Sequence, residues 1–489
     1  MIPDAPEVTG NRATRRAATR RGRKLAAIGS GAVLASTMAA GAMAAFPQAA
    51  GAATITVTNL NDSGTGSLRE ALTNANPGDT IDLTGLSGTI TLTSGELDIH
   101  DAVTITGPGA SALTVSGNGA SGVFSMDTDL SGGTVTISGL TITGGNAGAG
   151  GGVFFNCDTG SGNLVIDSSV VTGNTSGDLG GGLYFDRCDE GGSMTVRNSV
   201  VSNNSSTGDG AGGIWFDEGT GLTIEGSTIS GNQAHNWDGG GVVFDDGGSF
   251  TLLNSTVSGN SSSDNGGGLA IHRPTVGSTI ANSTISGNTA QGNGGGVELE
   301  SGPLSLEQAT ISGNTATGHG DGLYMGYGAE DTAAGAVRHD NQGAAPSSAP
   351  NPPAATVIGT IVAANADGSD DIARGADSQG TLSLTSSVVG AVNGVTPTDG
   401  GGNQTGVTNP GLAPLANNGG ATETQALLPG SSAIDAGPAT VPSFPGNDFD
   451  QRGSGFARVV NGKVDVGAFE VQPPPTPAPE VIVQPKFTG

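Results

Sequence analysis

The chain has 489 residues, with 17 Lys and Arg against 44 Asp and Glu, a formal net charge of −27. That balance excludes nucleic acid and anionic membrane surfaces as partners, because a polyanion is repelled by most of the surface. Charged residues are 12% and aromatics 4%, while Gly reaches 88. This is too little charge for an ordinary globular domain and enough Gly to suggest low complexity, unless the glycines are in register.

Residues 1–52 read as a signal peptide. Seven basic residues between Arg12 and Lys24 precede an apolar, Ala-rich run from Leu25 to Phe46, and Ala50-Gly51-Ala52 supplies small residues for cleavage. A retained membrane anchor is the rival reading, disfavoured by the Ala, Gly and Ser content. Arg15-Arg16 and Arg20-Arg21 lack the hydrophobic residues that follow a twin-arginine pair, so ordinary secretion is expected. Removing seven basic and two acidic residues leaves ten and forty-two, a net charge of −32. The mature chain is expected to be secreted or at the cell surface, monomeric and without a membrane span.

Residues 53–87 carry the one helix signal. Ser67 and Glu70 form an S-x-x-E capping box, Leu68, Ala71 and Leu72 share a face, and Asn76-Pro77-Gly78 stops the helix. Strand, short helix and strand ahead of a repeat array read as an N-terminal cap over an otherwise open edge. Ser67-Leu68-Arg69-Glu70-Ala71 resembles the core of the bacterial CSLREA domain, with Gly66 in place of its leading Cys. The resemblance implies an extracellular setting and no catalytic chemistry.

Residues 88–395 form the body, most regular between 133 and 325. An Asn recurs at 146, 174, 204, 232, 260, 288 and 314, and each is followed by a Gly-rich run such as Gly180–Gly182 or Gly266–Gly268. A period near 28 with β-branched residues in alternation, and no stripe at helical spacing, predicts one turn of a parallel β-helix per repeat. Three strands of about five residues and three corners fill such a turn, and about a dozen coils ~4.8 Å apart make a rod. The Asn residues are expected to stack as a ladder. A Pro, Ala and Ser-rich insert, 326–355, interrupts the array as a loop, and coils resume at Thr356 and Leu382.

Residues 396–470 read as C-terminal coils and a cap, followed by a Pro-rich tail, 471–489. NPGLAPLANNGGATETQALLPGSSAIDAG and DQRGSGFARVVNGKVDVGAFE closely resemble the ending of bacterial choice-of-anchor Q proteins. Those are secreted or surface right-handed β-helix proteins of the pectin lyase-like superfamily. The resemblance implies an all-β, right-handed parallel β-helix here. After Glu470 no sorting motif or hydrophobic span is recognisable.

Aligning the strands after the Gly runs gives two inward columns, Val153 to Leu323 and Phe155 to Met325. Alternation points two more columns at solvent: Phe154, Tyr184, Trp215, Val243, Ala270, Glu298 and Tyr324; and Asn156, Asp186, Asp217, Asp245, His272, Glu300 and Gly326. Tyr184 and Trp215 beside Asp186, Asp217 and Asp245 are the elements of a sugar-binding groove, flat apolar faces with acceptors for hydroxyls. The plainer alternative packs Phe154, Tyr184 and Trp215 under corner loops.

No cofactor is required by any motif. Calcium between Asp217, Glu218, Asp245 and Asp246 is an alternative that oxygen-rich corners would suit. The catalytic alternative is a polysaccharide lyase or glycosidase using Asp217, Asp245, Asp246, His272 and Arg273, since carboxylates on neighbouring coils bracket glycosidase spacings. Gly318-His319-Gly320 matches a glycosidase tripeptide of that superfamily, but at a Gly corner away from the acidic column. Basic residues are sparse there, so a non-catalytic, adhesive or glycan-binding scaffold is the expectation. Cys157 and Cys188 follow the same strand on consecutive coils, about 5 Å apart at Cα, which a disulfide can span. Two free thiols are the alternative, because Cys188 is offset by one residue.

Overall fold

The computed structural model describes residues 51–157, 160–186, 188, 191–326, 351–366, 370–376 and 378–474. Residues 1–50 of the expected signal peptide, most of the Pro, Ala and Ser-rich insert and the tail from 475 lie outside the described residues. The remainder winds into a parallel β-helix. In one coil, Leu269–Ile271, Ser278–Ala281, Thr284–Ser286 and the two-residue Thr289–Ala290 follow in order. Each pairs in parallel with its equivalent one turn on: Leu269 with Val297, Ser278 with Leu304, Thr284 with Thr310 and Thr289 with Thr315. The coil thus has three faces and a short fourth segment, rather than three strands of equal length. The third face alone is a ladder of 12 strands.

The corners explain the Gly and Asn content. One corner turns at Asn198, Gly226, Asn254 and Asn282 (φ +49 to +54) and the next at Gly173, Asn203, Gly231 and Gly259 (φ +53 to +65). This left-handed region favours Gly and, next, Asn. The Gly runs have a second cause, close approach of successive backbones: a Cβ on Gly240 would lie 2.4 Å from the Gly267 carbonyl oxygen.

Inside, Val153, Leu183, Ile214, Val242, Leu269, Val297 and Leu323 form one buried column. Phe155, Phe185, Phe216 and Phe244 stack in a second, with centroids 4.8, 4.8 and 5.2 Å apart. Polar ladders hold the corners. Asn204, Asn232, Asn260 and Asn288 are fully or almost fully buried, and each Nδ2 donates to the Oδ1 of the Asn one coil on at 2.9–3.0 Å. The ladder continues through Asn314 and Asn365 and ends on Asp371. Asn146 is not in it. Gly145 occupies the ladder position in its coil, its amide donating to Asn174 Oδ1, while Asn146 stands one residue farther on, in register with Thr175, and is exposed. A second ladder runs through Ser199, Ser227, Ser255 and Ser283, each backbone amide donating to the next Oγ at 3.1 Å.

At the N-terminal end, α1 (Leu68–Asn74) is capped by Ser67, whose hydroxyl accepts from the Glu70 amide, while Glu70 accepts from the Gly66 amide at 2.6 Å. Leu68, Ala71 and Leu72 join the same core cluster as Ile81, Ile90 and Leu97, closing the apolar column. Arg69 donates to the carbonyls of Gly95 and Glu96 and to Asp62. Gly66 has φ +78, and a Cβ there would sit 2.1 Å from Thr58 Oγ1, so the local fold requires Gly at this position.

In the C-terminal segment the coils continue through Thr398–Asp399 and Gln404–Thr405, which pair in parallel with the preceding turn. Beyond Thr405 the chain runs back along the outside of the third face. Gln451 bonds Thr256 and Thr284, Gln425 bonds Ser312, and Phe444 packs on Leu253 and Ala281. Arg458 is fully buried; its guanidinium donates to the Gly467 carbonyl at 2.9 Å, the Ala468 carbonyl at 3.2 Å and the Asn282 side chain. Arg452 pairs with Asp450 at 2.5 Å and lies between the rings of Phe456 and Phe469, at 3.9 and 3.8 Å. The DQR…FE stretch is therefore a latch over several coils.

Candidate functional site

The outer side of the first face carries the sequence-derived candidates, and its aromatic column is not a groove. Tyr184 and Trp215 are each 3% exposed, and Val243, Ala270, Glu298 and Tyr324 are also buried. Phe154, Tyr184 and Trp215 pack with Ala149, Leu179, Ala211 and Trp237 from the segments that precede the Gly runs. The chain folds back over the sheet at this corner. Alternation therefore turns these residues away from the inner core and into a second apolar layer. Asp186, Asp217 and Asp245 are likewise buried rather than displayed. The exposed aromatic groove is thus corrected to a packed layer.

Farther along the same face the chemistry changes. Asp245, His272 and Glu300 follow one another on successive coils, and Glu298 occupies the neighbouring outward column. Asp238 reaches the same point from the corner before the next strand. His272 Nε2 lies 3.4 Å from Glu298 Oε2 and 3.6 Å from Asp238 Oδ2, and Nδ1 lies 4.0 Å from Glu300 Oε2. All four side chains are buried. Ala270, between Val243 and Glu298 in the column, is too small to fill the space into which they converge.

Burial by itself would push the His272 imidazole down, but the Glu298 hydrogen bond and the charges of Glu300, Glu298 and Asp238 outweigh it and hold it well above its ordinary value. Burial, reinforced by the Glu298 charge, pushes Asp238 well above the carboxylate range, with His272 offsetting part. One ligand atom each from Asp238, His272 and Glu298 falls within 4.8 Å of the others, a span that one cation can bridge.

Arg273 ties this cluster to the preceding coil, with Nη2 2.5 Å from Asp245 Oδ1 and Nε 3.1 Å from Asp246 Oδ1. The Arg273 side chain is a quarter exposed, and its guanidinium stands at Asp245 and Asp246, two of the four carboxylates of the calcium alternative. Asp217 is in register with Asp245. The structure thus brings Asp245, Asp246, His272 and Arg273 together.

Asp238 is the residue that sequence reasoning passes over. A readable signal exists: the position before the Gly run is Ala149, Leu179 and Gly210 in early coils, then Asp238, Asn265, Asn293 and His319. These later residues form their own ladder, with the Asn265 amide on Asp238 Oδ1 at 2.6 Å and the Asn293 amide on Asn265 Oδ1 at 2.8 Å. At its end His319, 65% exposed, lies 2.7 Å from Asp370. Near the last coils, a polar hollow of about 600 Å³ is lined by residues that include Arg374, Gln379, Thr381, Thr396 and Thr398. The cysteine pair is bonded, with Cα atoms 5.1 Å apart, despite the one-residue offset. Among the described residues no helix is long and apolar enough to cross a membrane.

The family model described as "Right handed beta helix region" matches residues 160–336. Among solved structures, the crystal structure of pectate lyase Pel9A covers 86% of this chain and 98% of its own, at 16% identity and TM-score 0.48. No curated protein matches the chain. The fold of this protein is a right-handed parallel β-helix, with one short helix at its N-terminal end among the described residues.

Proposed function

We propose that the protein is a secreted or surface-displayed β-helix scaffold that binds extracellular glycans without turning them over. The observation carrying this reading is the state of the outer face. Asp245 and Asp246 are engaged by Arg273, and His272 with its three carboxylates is buried, so these groups do not present an acid and a base together to solvent. What remains accessible is a polar rim, the partly exposed Arg273 and Asp246, which offers donors and acceptors to sugar hydroxyls. A net charge of −32 after removal of the leader favours a neutral or cationic glycan over a polyanion.

The test is a polysaccharide panel scored both for retention on the protein and for new reducing or unsaturated ends. Retention without new ends is expected; new ends would overturn the reading. A second reading, a polysaccharide lyase, is favoured by one observation: Arg273 supplies a cation within ion-pair distance of two carboxylates, the base and enolate-stabilising charge that elimination needs. Under it, Asp245→Asn abolishes product formation while retention survives.

A further inference from the structure

We propose that Asp238, His272 and Glu298 form a binding site for a zinc-class divalent cation, with His272 Nε2 and one oxygen of each carboxylate as ligands. The distances carry the argument. A charge-assisted hydrogen bond between imidazole and carboxylate closes to about 2.7–2.9 Å, and this molecule contains one, His319 to Asp370 at 2.7 Å. His272 Nε2 instead stands 3.4 and 3.6 Å from its two carboxylate oxygens. Those separations are long for hydrogen bonds but match the edges of a tetrahedron whose metal bonds are about 2.0–2.2 Å, edges of roughly 3.4 Å. The three atoms lie within 4.8 Å of one another, and the three residues are 4%, 8% and 1% exposed.

The surroundings orient the ligands as a metal site requires. Asp238 Oδ1 accepts from the Asn265 amide at 2.6 Å, which leaves Oδ2 facing His272. Behind the ring, Glu300 Oε2 faces Nδ1 at 4.0 Å. A carboxylate there favours the proton on Nδ1 and the lone pair on Nε2, the usual outer partner of a metal-bound histidine. One nitrogen and two oxygens suit zinc or a neighbouring first-row ion, whereas calcium takes six to eight oxygens. Three protein ligands leave a fourth position for water. The site does not depend on the glycan reading, and its failure would leave that reading untouched.

The test strips the full chain with a chelator and titrates it with Zn²⁺ by calorimetry, and with Co²⁺ by visible absorption. One equivalent of Zn²⁺ should bind, and Co²⁺ should give the intense bands of a tetrahedral site. His272→Ala, checked for β structure by circular dichroism, should abolish saturation, Glu300→Gln should weaken binding by about 10–100-fold, and His319→Ala should change nothing. No saturable Zn²⁺ in the folded wild type, weak octahedral Co²⁺ bands, binding that survives His272→Ala, or binding lost with His319→Ala would each overturn the proposal. The wild-type Co²⁺ spectrum decides even if His272→Ala does not fold.

Discussion

Two stretches of one outward column differ in what they hold. Over the coils of Phe154, Tyr184 and Trp215 the column is aromatic and sealed by Leu179, Ala211 and Trp237. Over the coils of Ala270 and Glu298 it is small and then acidic, and Asp238 and His272 close on it. The inner columns stay buried and apolar in both, with Phe155, Phe185 and Phe216 in the first and Ile271 and Leu299 in the second, so the solenoid supplies a common frame. What differs is the outer column and the corner residue that covers it. Apolar corners build a second core layer, and polar corners build a cluster of charge.

The comparison predicts stability effects in the aromatic half. Trp215→Ala should cost about 3–5 kcal/mol, as for a large buried aromatic, read as a lower denaturation midpoint with glycan retention unchanged. Trp215→Phe should cost less than about 1.5 kcal/mol, because it keeps most of the volume and removes a buried indole N–H that has no hydrogen-bond partner. Reducing Cys157–Cys188, which closes a separation of 31 residues in this half, should remove about 3–4 kcal/mol. Equal midpoints with and without reductant would contradict that.

In the charged half, Arg273→Ala should weaken glycan retention and cost about 3 kcal/mol, because it takes the cation away from the buried Asp245 carboxylate. The charged half should also respond to pH where the aromatic half does not. His272 and Asp238 both titrate above their ordinary values. A group raised in the folded state adds stability that is full below its unfolded pKa and is lost as pH rises through the folded one. With chelator present, the midpoint should fall as pH climbs above 6.5, the ordinary histidine value, and His272→Gln should flatten that fall. The latch has the same sign in a lower window. Burial raises Glu470 from 4.5 to about 8 against the offsetting Asp465 amide, so stability should decline between those values and Glu470→Gln should remove that decline.

Much of the frame is legible in the amino-acid sequence. Alternation places the Val153 and Phe155 columns inside, the period finds the Asn ladder from Asn174 to Asn314, and Ser67 with Glu70 marks the helix start. Alternation reports only which side of the sheet a residue takes. It cannot say whether a corner segment then covers that side, which is why it points Tyr184 and Trp215 at solvent although both are buried. The Asp238, His272 and Glu298 cluster draws on three coils and two columns, so no single spacing displays it. The latch has no period at all: Gln451 meets Thr284 across 167 residues.

The most direct test of this division of labour compares Trp215→Ala with Arg273→Ala on whichever polysaccharide the wild type retains, measuring retention and thermal midpoint together. The account predicts that Trp215→Ala lowers the midpoint and keeps retention, while Arg273→Ala loses retention. Retention lost in Trp215→Ala at an unchanged midpoint would contradict it, and would restore the aromatic column as the binding surface.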